Sequence, residues 1–173
     1  MFIGHLPPGY IISLLLRPRI QWTGTQGTRF VFAGMPGAVA PDFDMLCFYL
    51  VDHRRHHHHT CFIHFPLLWF RLLLAAGVWL LSGRKQCNAA LAFIFTLNGL
   101  AHMVLDSIVG DIWWFAPFVD QRFSLFTVPA LYKPWRLNFI LHWSFALELA
   151  VVGSAVYLWR RTLQPADCGL AGA

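Results

Sequence analysis

Long apolar stretches are the feature that most restricts what this chain can fold into. Residues 65–82, 87–109 and 137–159 are each close to or above the ~18 apolar residues with which a helix crosses a bilayer. Only 12% of the 173 residues are charged, whereas soluble domains average about 25%. The pattern therefore predicts an all-α membrane protein and excludes an ordinary soluble globule.

Two further apolar segments are irregular. Residues 30–51 are long enough to span, but they contain four residues that interrupt helices: Gly34, Pro36, Gly37 and Pro41. Irregular backbone is tolerated at membrane depth only inside protein or beside a cavity, so a broken helix is predicted here. Residues 9–16 are too short to span, and the prolines just before them suit a helix start.

Together these segments predict a small bundle of about four transmembrane helices, with a short N-terminal helix and a broken helix. A polar connector rich in Gly and Thr, residues 21–28, joins the first two segments. Residues 1–161 are expected to form a single integral membrane domain, followed by a disordered tail at 162–173.

Basic residues set the expected orientation. If the chain alternates through these spans, six of them fall on the side that the positive-inside rule makes cytoplasmic: Arg17, Arg19, Arg84, Lys85, Arg160 and Arg161. We therefore predict a multi-pass protein of the inner (cytoplasmic) membrane. The formal charge of +5 is spread in ones and twos between apolar segments. This spread favours contact with membrane lipids and gives no reason to expect nucleic acid.

Polar residues inside the apolar segments converge on one leaflet under this topology. A helix rises ~1.5 Å per residue through a hydrocarbon core ~30 Å thick. That rise places the following groups near the outer end: His5, Asp42, Asp44, the histidines of residues 53–64, His102, Asp106 and His142. Ionisable groups are costly in a membrane and are normally paired or functional. We predict that they form a metal site toward the outer face.

His102 and Asp106 form a His-x-x-x-Asp pair, and a spacing of four puts both side chains on one helix face. An imidazole nitrogen and a carboxylate oxygen placed in this way can hold one cation. The alternative is a histidine hydrogen-bonded to its own aspartate as a packing pair. Ligation is favoured because other candidate ligands lie nearby inside the membrane.

Residues 52–64 carry six histidines, too many for all of them to be ligands. His53, His59 and His64 lie at the edges of the cluster and are the better candidates for metal ligands. The alternative for the central run is a solvated basic loop that binds anionic headgroups.

Asp42 and Asp44 are two residues apart and would not face the same way on a regular helix. One is expected to ligate the metal, while the other acts as a general base or orients a ligand histidine. The alternative is that they mark a helix start after Pro41, where acidic side chains favour the positive end of the helix dipole.

His5 and His142 complete the predicted ligands, although a buried structural histidine explains His5 equally well. Arg54, Arg55 and Arg136 are expected at the outer interface, where a guanidinium can bind two phosphate oxygens. Ordinary anchoring at the interface is an equal alternative for these three arginines.

Four sequence motifs occur together in this chain. They are MFIGHLPPGY at 1–10, PDFD at 41–44, TCFIHFP at 60–66 and AHMVLDS at 101–107. With them, the chain resembles an inner-membrane metal-dependent hydrolase family that is distantly related to zinc-dependent phospholipase C and the zinc-dependent single-strand nucleases. The resemblance covers residues 1 to about 150.

The resemblance implies a helical bundle that holds zinc ions through histidine and aspartate, and a metal-activated water that attacks a phosphodiester. It implies these ligands: His5, Asp42, the region 53–64, His102 and Asp106. The soluble relatives carry a further His-x-x-x-Glu, but here Ala146 lies four residues after His142. This departure counts against a complete three-metal site.

We therefore expect a phospholipase C-like membrane hydrolase with one or more divalent cations, zinc being the expected metal. Its expected substrate is a phospholipid or a lipid-linked phosphoester at the outer leaflet. One alternative is a divalent-metal transport protein in which the same residues bind a passing ion. Another is a non-catalytic membrane protein whose His-rich loop binds lipid.

Overall fold

The computed structural model describes residues 4–50, 61–83, 86–134 and 136–163. Within them the chain forms seven α-helices and no β-strand. The helices are α1 (Leu6–Leu16), α2 (Gly27–Gly37), α3 (Asp44–Leu50), α4 (Pro66–Leu81), α5 (Cys87–Asp106), α6 (Arg136–Ile140) and α7 (Trp143–Leu163). The predicted all-α class is confirmed.

Helix α5 is the centre of the bundle, with α1, α2 and α4 packed against it. Its 20 residues have a mean hydropathy of 1.5 and extend ~30 Å, enough to cross a bilayer. Among the described helices, α5 alone is both long and apolar enough to do so, since the apolar α4 has 16 residues. The predicted count of about four transmembrane helices is therefore not confirmed and stays a prediction.

Several boundaries differ from those expected. The span predicted at 137–159 is two helices, α6 and α7, separated by a turn at residues 141–142. Helix α7 continues to Leu163, so residues 162 and 163 belong to it rather than to a tail. The connector begins within a 3-10 helix, Arg17–Thr23, which ends at Gly24 with a left-handed φ of 75°, a conformation that glycine adopts at little cost.

The broken helix is confirmed and has three parts. Helix α2 contains Pro36 near its end, a 3-10 turn covers Ala40–Phe43 with Pro41 in its first turn, and α3 follows. Proline cannot donate the backbone hydrogen bond of a helix interior and is accepted in a first turn, so these positions segment the chain. The breaks turn the Asp42 region toward the end of α5.

Glycines allow the helices to approach closely. A side chain at Gly37 would collide with the backbone of Phe95 on α5, and one at Gly99 would collide with the ring of Trp69 on α4. Small residues at helix contacts are typical of membrane bundles, where packing replaces the hydrophobic effect as the driving force. These contacts hold α2 and α4 against the segment of α5 that precedes His102.

A buried amide ties three helices together one turn before His102. The Asn98 Nδ2 group of α5 lies 3.0 Å from Ser13 Oγ and 3.1 Å from the Gly34 carbonyl oxygen, and it also contacts the Gly9 carbonyl at 3.3 Å. Asn98 is fully buried. The amide therefore links α5 to both α1, which follows His5, and α2, which precedes Asp42.

Replacing Asn98 with leucine is expected to lower the free energy of unfolding in detergent by about 1–2 kcal/mol, because three contacts between helices lose their donor. Thr96→Val is the matched control, since that hydroxyl donates only to Ala92 and Phe93 of its own helix. The control is expected to change stability by no more than about 0.5 kcal/mol. Equal thermal shifts for the two variants would contradict this role of Asn98.

Candidate metal centre

The last turn of α5 carries the first pair of the site. His102 and Asp106 are 1% and 4% exposed, and His102 Nε2 lies 3.0 Å from Asp106 Oδ2. Their spacing of four residues puts both groups on one face of the helix, the face that also bears Asn98. The pair is thus carried by the most central helix of the bundle.

Two other segments bring the remaining members. His5 immediately precedes α1, and its Nε2 lies 3.1 Å from Asp106 Oδ1. Asp42, in the 3-10 turn after α2, places Oδ1 3.5 Å from His102 Nε2. One ligand atom from each of His5, Asp42, His102 and Asp106 lies within 4.8 Å of all the others. Ligand atoms around a tetrahedral zinc lie ~3.4 Å apart, given metal–ligand bonds of ~2.1 Å, so small side-chain movements suffice for ligation.

The tautomer of His102 directs the lone pair of Nε2 toward the other residues of the centre. His102 Nδ1 lies 2.8 Å from the Ala38 carbonyl oxygen, which can only accept, so Nδ1 carries the proton and donates it. In the neutral ring Nε2 then has a lone pair, and it lies beside two carboxylates without hydrogen-bond alignment. A lone pair facing carboxylate oxygens is unfavourable unless a cation lies between them. A backbone carbonyl that fixes the far nitrogen of a histidine is the usual support of a metal ligand.

Asp106 is the hub of the centre. Its Oδ1 approaches His5, while its Oδ2 approaches both His102 and His64, the latter at 3.4 Å from Nε2. The His5 and His102 rings are stacked, with centroids 3.7 Å apart. The stacking places the Nε2 atoms of both rings against the same carboxylate, that of Asp106.

His64 and Asp44 form a second layer behind Asp106. His64 Nδ1 lies 2.9 Å from Asp44 Oδ2, and both side chains are almost fully buried, at 1% and 0% exposed. Burial by itself lowers the pKa of His64, but the nearby carboxylates of Asp106 and Asp44 outweigh it and raise the pKa to about 9. His64 therefore carries a proton at neutral pH when no ion is bound, and its charge offsets part of the charge of these carboxylates.

Charge and exposure indicate how an ion would reach the site. Asp42, Asp44 and Asp106 contribute three carboxylates, which a single protonated His64 does not neutralise. Uncompensated buried charge is costly, so the centre favours a divalent cation. The Asp42 side chain is 43% exposed, whereas those of His5, His102 and Asp106 are at most 10% exposed. The open side of the centre is therefore the side of Asp42.

The structure brings together five of the predicted residues in one place, with Asp44 beside them. Those five are His5, Asp42, His64, His102 and Asp106. His142 is not among them: it is half-buried in the turn before α7, with Nδ1 2.9 Å from Ser144 Oγ. Arg136 is exposed at the start of α6. His53, His59, Arg54 and Arg55 lie outside the described residues, and their roles stay predictions.

Sequence reasoning missed two contributors. The Ala38 carbonyl is a backbone atom, and no side-chain pattern could have revealed that it orients His102. The sequence also does not predict that Asp44 pairs with His64, although it predicts that one of Asp42 and Asp44 orients a ligand histidine. The two-residue spacing of Asp42 and Asp44 is the feature that could have indicated this pairing, because it directs the two side chains toward different histidines.

Comparison with known proteins gives one match. A family model described as YdjM inner membrane protein matches residues 1–166. No curated protein and no solved structure matches the chain. The match covers every segment that contributes to the centre and supports the predicted location in an inner membrane. It does not extend to hydrolase chemistry.

Proposed function

The chain belongs to the YdjM inner membrane protein family, and we propose that it is a membrane-embedded, metal-dependent hydrolase of phosphoesters. One observation carries the proposal. Two buried histidines and a buried aspartate, His5, His102 and Asp106, converge on one place, and the half-exposed carboxylate of Asp42 lies at its open side. Three enclosed ligands with an open fourth position are the pattern of catalytic rather than structural zinc sites.

The donor set suits zinc. Two imidazole nitrogens and a carboxylate oxygen, with a second carboxylate at the open side, are donors that zinc and manganese accept, and the described cysteines do not take part. A bound zinc ion would lower the pKa of its water toward ~7 and polarise a phosphoryl oxygen. The residues would hold the ion and exclude bulk water from three sides.

Asp42 is proposed as the general base. It is the member of the centre on the open side, so it faces both solvent and an incoming phosphoester. A carboxylate at this position can accept the proton of the attacking water, a contribution of about 10²–10⁴-fold in rate. Asp44 is buried behind His64 and is proposed to orient that histidine.

The residues of the centre could hold either one cation or two. Asp106 Oδ2 approaches both His102 and His64, so a second ion would be held by His64 and Asp106, with Asp44 supporting His64 from its other ring nitrogen. Paired ions ~3.5–4 Å apart can stabilise the attacking and leaving oxygens of a phosphoryl displacement. The number of ions bound by the purified protein decides between the two arrangements.

The proposed substrate is a phospholipid or a lipid-linked phosphoester at the outer leaflet. The ligands lie at the start of α1 and at the end of α5, and the positive-inside rule assigns this end of the bundle to the outer face. Arg136, Arg54 and Arg55 are proposed to bind phosphate oxygens there. A membrane-embedded site receives a lipid-anchored substrate by diffusion within the bilayer.

Transport of a divalent cation is the second candidate, favoured by the polar group at Asn98 and Ser13 one turn beyond His102. A path through the bundle would continue along α5, but the buried residues that follow toward Cys87 are Ile94, Ala90 and Ala89. The hydroxyl of Thr96 is bonded within its own helix. Hydrolysis is therefore the better-supported function.

The test combines elemental analysis with phosphoesterase assays of the detergent-purified protein. Zinc-loaded protein is expected to cleave bis(4-nitrophenyl) phosphate or a phospholipid in mixed micelles. Asp42→Asn is expected to reduce turnover by about 100-fold or more while the metal content stays within about twofold of the wild type. Asp120→Asn, which removes an exposed carboxylate bonded to Trp113, is the control and is expected to leave both unchanged.

Protein that holds zinc but cleaves no phosphoester above the rate of the Asp42→Asn variant would overturn the hydrolase proposal. Zinc uptake into proteoliposomes under the same conditions would then support transport. Protein that binds no divalent metal at all would exclude both functions.

A further inference from the structure

An apolar groove of about 640 Å³ lies between α1, α2 and α7. Its walls are one stripe from each helix, within residues 6–17, 27–35 and 155–163. The volume is in the range of ~300–1,000 Å³ typical of small-molecule sites. The groove follows α1 over nearly all of its 11 residues, or ~16 Å. A groove of this length can hold part of an extended acyl chain.

Arg17 alone carries a charge among the described residues that line the groove. It follows the last residue of α1, at the opposite end of the helix from His5, and it is exposed. In the described part of the chain no carboxylate pairs with it. The groove therefore has apolar walls and one cationic end that offers a guanidinium to an anion.

The absence of a side chain at Gly27 leaves room for the end of the Arg17 side chain. The Arg17 side chain occupies the space beside Gly27 where a Cβ atom would be, with its Cδ and Cζ 2.7 Å from that position. Because only the flexible end of Arg17 meets this position, a methyl group at residue 27 would displace the guanidinium at little cost to the fold. The two residues together set the position of the charge.

We propose that the groove binds one anionic phospholipid, with an acyl chain along α1 and the phosphate at Arg17. Its walls expose large apolar side chains, among them Phe32 at 67% and Trp159 at 52%, which an acyl chain can contact along the length of the groove. Arg160 and Arg161 lie in the last turn of α7, next in sequence to the groove residue Trp159, although neither lines the groove. A guanidinium binds phosphate through paired hydrogen bonds. A zwitterionic headgroup also carries a phosphate, but its cationic group weakens the net attraction to Arg17.

A second copy of the chain fits the groove less well. Two copies in one membrane share an orientation, so a symmetric contact through the groove would bring two Arg17 ends to the same depth. Like charges at an interface are unfavourable. A lipid matches both the apolar walls and the charge. No residue of the metal centre lines the groove, and Arg17 lies at the opposite end of α1 from His5.

Native mass spectrometry of the full chain, titrated with phosphatidylglycerol or phosphatidylcholine of identical acyl chains, tests the proposal. The wild type is expected to retain phosphatidylglycerol with a preference of about fivefold. Arg17→Gln and Gly27→Ala are both expected to reduce that preference, the second without any loss of charge. Val156→Trp is expected to fill the groove and to weaken the retention of both lipids.

Arg71→Gln is the matched control, since Arg71 is exposed on α4 and does not line the groove; it is expected to keep the wild-type preference. Bound metal, measured on each variant, reports that the bundle is intact. Equal retention of the two lipids by the wild type, or an undiminished preference in Arg17→Gln, would overturn the proposal. The proposal would also be overturned if the wild type formed dimers without bound lipid and the Val156→Trp variant were monomeric. That result would assign the groove to a second copy of the chain.

Discussion

Asp106→Asn is expected to lower the affinity for divalent metal by more than about 100-fold. Asp106 approaches three histidines, with distances of 3.1 Å to His5, 3.0 Å to His102 and 3.4 Å to His64. An amide nitrogen cannot replace a ligating carboxylate oxygen, and its hydrogens would face the imidazole lone pairs that the metal uses. Loss of a supporting group alone costs 10–100-fold in affinity, so loss of the hub costs more. Metal content after dialysis and competition with a chelator give the measurement.

Asp111→Asn is the matched control for that variant. Asp111 follows the same helix five residues later, and its Oδ2 accepts a hydrogen bond from Arg122 outside the centre. Its variant is expected to bind metal as the wild type does. If Asp106→Asn retained its metal through the same chelator titration, the ion would have to be held elsewhere and the centre described above would be wrong.

Gly37→Ala is expected to cost about 3 kcal/mol of folding free energy or more. A Cβ atom at this position would lie 2.8 Å from the Phe95 carbonyl carbon and Cα, and closer still to its carbonyl oxygen. These are backbone atoms of α5, so no side chain can rotate to make space and α2 must move away. Because the Ala38 carbonyl orients His102, the same movement is expected to weaken metal binding. Thermal unfolding in detergent, with and without zinc, measures both effects.

Gly153→Ala is the control for Gly37→Ala. A Cβ atom at Gly153, on α7, meets nothing within 4 Å, so the variant is expected to gain up to about 1 kcal/mol from helix propensity. Comparable losses in the two variants would show that α2 does not depend on close approach to α5.

Much of the centre could be predicted from the sequence. The His-x-x-x-Asp spacing placed His102 and Asp106 on one face of a helix, and helical rise placed His5 and Asp42 at the same depth. Which histidine meets which aspartate could not be predicted, because Asp42 and Asp44 lie in a segment broken by prolines whose direction depends on packing against α5. The position of His142, bonded to Ser144 outside the group, depends on a turn between α6 and α7 that the continuous apolar run at 137–159 did not reveal.

The helical class and the approximate helix positions followed from composition and from the prolines and glycines, since these residues act on the backbone locally. The groove, the close contacts at Gly37 and Gly99 and the carbonyl that orients His102 follow only from the tertiary structure. Each of these depends on atoms from two or three helices that are distant in the chain. A local pattern records which face a side chain takes on its own helix, whereas contacts between helices depend on how every face packs at once.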